Sequence, residues 1–296
     1  MDIRTALKEG IARLRAAHVP SDTLAAELLL LHAIGRDRTW IYAHPEHELS
    51  HSEQHEYLAL LQKRATGVPT QHLTGRQEFW GLEFEVNSSV LIPRPETEHV
   101  IEVALDRLAL REVQAGRPPK NEGKGLRIAD IGTGSGCIAI GLSKELPEAM
   151  IWAADVSREA LEVARRNAER LGFAKRIELV ESNLFSAIGE KASFDLIVSN
   201  PPYVGRHTAE TLSREVREHE PEIALYGGEQ GYEFYGELIL EAARHLKPGG
   251  LLVMELGYDS LAAVRPLLEG PEWTNVGVTN DLAGIARVIA AERTAK

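Results

Sequence analysis

Between Leu126 and Glu255 short apolar runs alternate with longer stretches of helical periodicity. Strands are expected at 126–131, 150–155, 177–182, 194–199 and 251–255, with helices at about 136–145, 158–171 and 232–245. Parallel neighbours need a crossover between them, and a helix is the usual one. The order therefore predicts a mostly parallel sheet with helices on both faces. The last segments, 274–279 and 285–290, are expected to pair antiparallel at one edge.

The amino-terminal third reads differently. From Asp2 to about Thr66 apolar residues recur at helical spacing, as in Leu24, Leu28 and Leu31, or Tyr57, Leu58 and Leu61, which predicts a small helical bundle. Ser21-Asp22 after Pro20 and the capping-box pair Ser50 and Glu53 mark helix starts. Between Gly67 and Leu91 aromatic and β-branched residues with turn signals, Glu78-Phe79-Trp80-Gly81-Leu82-Glu83-Phe84, suggest a β-hairpin. The prolines of Leu91-Ile92-Pro93-Arg94-Pro95-Glu96-Thr97-Glu98 impose an extended turn before a helix over about 96–110, and 114–125 reads as a solvated loop. The expected division is a helical domain at 1–75, a hairpin linker at 76–92 and an α/β domain at 93–296.

Composition narrows the function classes. No run of about 18 apolar residues occurs, and Met1 to Leu14 carries charges where a signal peptide needs an apolar stretch. A single cysteine, Cys137, can form neither an internal disulfide nor a thiolate zinc site. The net charge of −11 disfavours long-range attraction to nucleic acid. A soluble, cytoplasmic, monomeric protein is expected, with neither membrane nor nucleic acid as partner.

Asp130-Ile131-Gly132-Thr133-Gly134-Ser135-Gly136 falls where the first strand of the alternating region ends and a helix begins. Glycines there let the backbone turn sharply against a ligand, and the helix start offers unpaired N–H groups. Cys137 occupies the place of the last glycine in a dinucleotide fingerprint, which argues against a pyrophosphate ligand. Asp155 closes the next strand, where a carboxylate can accept both hydroxyl hydrogens of a ribose; capping the helix at Arg158 is the alternative, and Ser157 could do that equally well. Asn183, after the third strand, is placed to meet an adenine edge or else to make a surface turn.

Phe194 to Ser199 runs straight into Asn200-Pro201-Pro202-Tyr203. Two prolines fix φ and remove two donors, so the Asn200 side chain and the Pro201 carbonyl are presented rigidly. A carboxamide –NH₂ is a poor nucleophile because its lone pair is delocalised. Two fixed acceptors for its hydrogens would aim that lone pair at a donated methyl and stabilise the positive charge growing on nitrogen. Tyr203 could stack on the flat group. A plain strand-ending turn is the bland alternative.

With these motifs in this order, the chain resembles class I methyltransferases. More narrowly, it resembles the peptide chain release factor N5-glutamine methyltransferase family. His72-Leu73-Thr74-Gly75, Glu78-Phe79-Trp80, Ile92 to Glu98, Glu220-Pro221 and Ala224-Leu225-Tyr226-Gly227-Gly228 carry the specificity, since Asn-Pro-Pro-Tyr alone is shared with DNA adenine methyltransferases. The resemblance implies a Rossmann-like sheet joined by a β-hairpin to a small helical domain. It implies S-adenosylmethionine held by Gly132, Thr133, Gly134, Ser135, Gly136, Asp155, Asn183, Leu184 and Asn200, leaving S-adenosylhomocysteine as product. It implies the glutamine of a release factor's Gly-Gly-Gln loop held by Asn200, Pro201, Pro202 and Tyr203, with Asn200, Pro201 and Tyr203 as catalytic residues. The amino-terminal helices would grip the rest of the release factor. Two positions depart from the pattern: Asn183 stands where relatives often carry Asp, and Leu184, aromatic in some relatives, would make only an apolar contact.

Other features carry less. His51 and His55, with His44 and His47 nearby, could suggest zinc, but Glu53 follows the first histidine by two places where a zincin helix needs one. Cys137, Asp195 and Glu255 are left outside the expected site. The competing functions are an amino-group nucleic-acid methyltransferase of the adenine N6 type, which would need base flipping, and a non-catalytic release-factor-binding protein.

Overall fold

The computed structural model describes residues 1–114, 123–189 and 193–295, so most of the loop expected over 114–125 lies outside the described residues. The chain divides into two compact units: Met1–Arg76 with Leu212–His219, and Gln77–Thr211 with Glu220–Lys296.

The first unit contains helices Ile3–Ala16, Asp22–Ile34, Arg38–Ala43, His51–Ala65 and Thr70–Thr74, and later in the chain Arg214–His219. The apolar stripes of the helices within 3–65 meet in a core that includes Ile3, Leu14, Leu29, Leu30, Tyr57 and Leu61. Ser50 forms the expected capping box with Glu53. Ser21 precedes its helix as expected but makes no side-chain cap: its φ of 53° is left-handed, away from the extended backbone of an N-cap that bonds forward. The segment returning at 212–219 brings Glu215 to the buried guanidinium of Arg64, which also donates to the Val68 carbonyl.

In the second unit β1 (Arg76–Phe79) and β2 (Leu82–Glu85) pair around Trp80-Gly81. Both turn residues have positive φ, 55° and 66°, the geometry that matches a two-residue turn to strand twist. A 3₁₀ turn at Pro95–Thr97 then leads into helix Glu98–Gln114. The alternating region follows with β3 (Arg127–Ile131), β4 (Met150–Asp155), β5 (Ile177–Glu181), β6 (Phe194–Ser199), β7 (Val204–Gly205), β8 (Tyr226–Gly228) and β9 (Leu246–Glu255). Two further strands, β10 (Trp273–Asn280) and β11 (Ala286–Arg293), complete the set. The large sheet runs β10-β11-β9-β6-β3-β4-β5; its β9-to-β5 neighbours are parallel, and β11 and β10 are antiparallel at the edge.

Period-two alternation sorts the sheet residues between two cores. Ile128, Leu196, Val198, Leu251 and Val253 pack on one face with helices Glu98–Gln114 and Cys137–Glu145. Ala129, Ile197, Leu252 and Met254 pack on the other with Tyr235, Leu238 and Ala242 of helix Glu233–His245. Both faces are covered, so these strands read as continuous apolar runs.

Two features differ from expectation. β9 begins at Leu246, five residues earlier than expected, because Lys247-Pro248-Gly249-Gly250 reads as a turn yet is taken up as a bulge between Leu246, opposite Phe194, and Leu251, opposite Leu196. The short parallel pair β7 and β8 was not expected at all, since neither strand is long enough to show a period. β4 and β6 flank β3 on opposite sides, so the strand order reverses there and a crevice opens at the carboxyl ends.

Candidate active site

The crevice is a cleft of roughly 960 Å³, open solvent at its mouth included. Gly132, Thr133, Gly134, Ser135, Asp155, Asn183, Leu184, Asn200 and Pro202 line it together. Pro201, Tyr203 and Gly136 do not line it. Gly136 instead starts helix Cys137–Glu145, and a Cβ there would press on Ala164 at 3.2 Å.

The glycine turn is built from its residues outward. Gly132, Gly134 and Gly136 have φ of 74°, 55° and 82°, a region that disfavours any side chain. The Gly132 and Thr133 amides donate to the Ala154 carbonyl, tying β3 to β4 where both end. Beneath the turn Asp130 accepts from the Thr133 hydroxyl (2.7 Å) and the Ala139 amide (3.2 Å). Its burial raises the carboxyl pKa to about 7. Asn167 donates to the carbonyls of Ser135 and Glu85 and accepts from the Glu85 amide, so one buried amide fastens the turn to β2.

Asp155 accepts from the Gly134 and Ser157 amides, each at 2.9 Å, and burial raises its pKa despite these bonds. Ser157, not Asp155, caps helix Arg158–Leu171 by accepting from the Ala160 amide. Leu184 holds a left-handed φ of 51°, uncommon without glycine, in the cleft wall beside Asn183. Cys137 also lines the cleft as a buried thiol whose pKa burial pushes up to about 12.

The diproline corner stands next to the glycine turn: a Cβ built on Gly132 would lie 4.0 Å from the Asn200 carbonyl oxygen. The Ser199 hydroxyl donates to the Ile131 carbonyl (2.6 Å) and joins the two strand ends. Asn200 Nδ2 donates to Thr97 Oγ1 (3.0 Å), and Thr97 donates to Glu255 Oε2 (2.6 Å). The Tyr203 hydroxyl donates to Glu255 Oε1 (3.2 Å), so this ring stands behind the cleft wall, and burial raises its pKa. Burial likewise raises the Glu255 pKa to about 7. Asn200 Oδ1 is buried, with no hydrogen-bond partner, in a side chain that lines the cleft.

Thr97 and Glu255 are the residues that sequence reasoning missed. Thr97 carries no local signal within the proline turn, and Glu255 reads equally as an acid behind a site or one solvated at a strand end; nothing in local spacing joins residues 158 apart. Among the described residues no group of three or more His, Cys, Asp or Glu is arranged to hold a metal. His44 stacks on Trp40 at 4.8 Å instead.

The fold is shared with a methyltransferase from Pyrococcus furiosus (TM-score 0.51, 23% identity, covering 72% of this chain and 90% of that one). It is shared too with the hMettl16 catalytic domain in complex with a 3′UTR hairpin (TM-score 0.55, 21% identity, 80% and 82% covered). The Rossmann-like sheet with its cleft at the glycine turn of β3 is the fold of α/β methyltransferases. Residues 5–75 match the model of the PrmC N-terminal domain, and 118–223 that of the methyltransferase small domain. The chain is 43% identical over 293 residues to the release factor glutamine methyltransferase of Koribacter versatilis, covering 99% of each. It is 42% identical over 278 residues to that of Chlorobaculum tepidum, covering 93% of this chain and 92% of the relative. The chain belongs to the release factor glutamine methyltransferase family.

Proposed function

We propose that the protein transfers a methyl group from S-adenosylmethionine to the side-chain amide nitrogen of the glutamine in the Gly-Gly-Gln loop of peptide chain release factors. The observation that carries this reading is Asn200 Oδ1, a buried acceptor with no partner in a residue that lines the cleft. Buried acceptors are rarely left unpaired, and a ligand N–H is the natural complement.

The residues present fit the donor. The glycine turn leaves room where side chains would intrude, Asp155 can accept from ribose hydroxyls, and Asn183 and Leu184 offer a polar edge and an apolar face. When bound, the donor supplies an electrophilic methyl on a sulfonium. Asn200 Oδ1 and, from just behind the lining residues Asn200 and Pro202, the Pro201 carbonyl would accept the two amide hydrogens and orient the nitrogen, and the stiff corner loses little entropy in doing so. These acceptors also stabilise positive charge as it develops on nitrogen. No strong base is needed, because the methylated nitrogen becomes acidic and releases its proton. Tyr203 contributes by bracing the corner through Glu255, and Pro202 closes the cleft wall.

In this reading residues 1–75 grip the release factor, 76–92 form the linker, and 93–296 form the catalytic domain of a cytoplasmic monomer. Among the described residues no helix is long and apolar enough to cross a membrane. The test is a mass spectrum of a release factor after incubation with the protein and S-adenosylmethionine. A methyl-sized increment on the Gly-Gly-Gln peptide is expected, abolished by Asn200→Ala with donor binding retained. Label entering only DNA overturns the reading in favour of a nucleic-acid substrate. Unchanged turnover by Asn200→Ala defeats the mechanism.

A further inference from the structure

Either end of an asparagine amide can occupy the same space, so what decides the orientation of Asn200 is the network behind it. A carboxylate only accepts. With Glu255 ionised, the single hydroxyl hydrogen of Thr97 is committed to Glu255 Oε2, and Thr97 Oγ1 has only lone pairs left to offer. The group facing it must then be a donor, which is Asn200 Nδ2. The carbonyl end of Asn200 is then the end left without a partner, in a residue that lines the cleft.

We propose that Thr97 and Glu255 are positioning residues, and that the charge state of Glu255, passed through the Thr97 hydroxyl, decides whether Asn200 offers the cleft an oxygen or an –NH₂. The proposal rests on the glutamine reading above. A proton on Glu255 Oε2 would donate to Thr97 Oγ1, and the Thr97 hydrogen would turn toward Asn200. The Asn200 amide would then rotate to accept it, presenting –NH₂ to the substrate –NH₂. Two donors face each other in that state and the carboxamide is no longer held.

The surroundings of Glu255 place this change near neutrality. Tyr203 of the diproline corner, Glu96 of the turn before helix Glu98–Gln114, and Arg287 of β11 face it. Cys137 of the helix after the glycine turn and Tyr235 of helix Glu233–His245 face it as well. Burial and Glu96 favour the protonated form. The hydrogen bonds from Thr97 and Tyr203, and the charge of Arg287, favour the ionised one. Arg287 is itself engaged by Asp281 at 2.8 Å, which weakens its hold on Glu255.

The test is a pH profile of kcat, at saturating donor and Gly-Gly-Gln peptide, for the wild type, Thr97→Val, Thr97→Ser and Glu255→Gln. Peptide affinity in the presence of S-adenosylhomocysteine is titrated alongside. Wild-type kcat and peptide affinity are expected to fall together as pH drops below about 7, where Glu255 gains its proton. Asp130, raised to a similar range, lies under the donor cradle, so its titration moves donor affinity and not kcat at saturation. Thr97→Val should lower kcat at high pH by about 100-fold, the effect of a misplaced reacting group, and flatten the profile while donor affinity holds. Thr97→Ser, which keeps the hydroxyl, should recover most of the rate and the acid limb. Glu255→Gln should be slow with no acid limb.

Equal impairment of Thr97→Val and Thr97→Ser would point to packing and overturn the proposal. So would a wild-type kcat that is flat across the window while the peptide is methylated, which leaves the glutamine reading standing. A wild type that never methylates the peptide overturns both.

Discussion

Asp130 and Glu255 are buried to 0% and 1% exposure, and burial raises both carboxyl pKa values to about 7. Between their ordinary values of 3.8 and 4.5 and that raised value, the folded state binds more protons than the unfolded one. The contribution of each to stability is therefore complete below about pH 4 and is lost as pH rises toward about 7, the reverse of an ion-paired carboxylate. Asp130→Asn should remove its share: urea unfolding at a series of pH values is expected to show the variant gaining on the parent from about pH 4 to 7. A constant difference across that range would refute it. The Asp130 motif was legible in the sequence as the end of a strand before glycines. Its role under the turn was not, because burial is set by helices from elsewhere in the chain. The same holds for Asn200: its importance was legible in Asn-Pro-Pro-Tyr, but the partner that fixes its orientation, Thr97, lies 103 residues away.

At the scale of elements, the parallel strands and their helices were readable because each is long enough to show its period and is punctuated by glycine, proline or a cap. β7 and β8 were not, yet they hold the far side of the diproline corner in place. Gly227 of β8 is packed against that corner so closely that a Cβ would sit 2.3 Å from the Pro202 carbonyl oxygen and 2.6 Å from that of Gly231. Both obstacles are backbone and cannot swing aside. Gly227→Ala should therefore shift the corner. Methyl transfer is expected to fall by about 100-fold, as when reacting groups are displaced by about 1 Å, with the circular dichroism spectrum unchanged. Near-normal transfer would show that the corner tolerates the shift.

At the scale of the whole molecule, the amino-terminal unit is assembled from two stretches of chain, 1–76 and 212–219. Periodicity revealed the first stretch and could not reveal the second, whose helix Arg214–His219 is short and polar. One bond between them is that of Arg64, 4% exposed at its side chain, with Glu215, which is 25% exposed. Glu215→Gln should lower the stability of this unit by roughly 1.5–3 kcal/mol, the worth of a hydrogen bond to a charged group. Hydrogen exchange on helix His51–Ala65 measures it, and unaltered protection there would contradict it. The same pairing governs when the unit can mature during synthesis. A chain emerging from the ribosome amino terminus first carries Arg64 long before Glu215 exists. These helices thus remain without their last piece until the chain has grown 151 residues past Arg64, through β1 to β7, so the unit begun before the other is completed only in the midst of it.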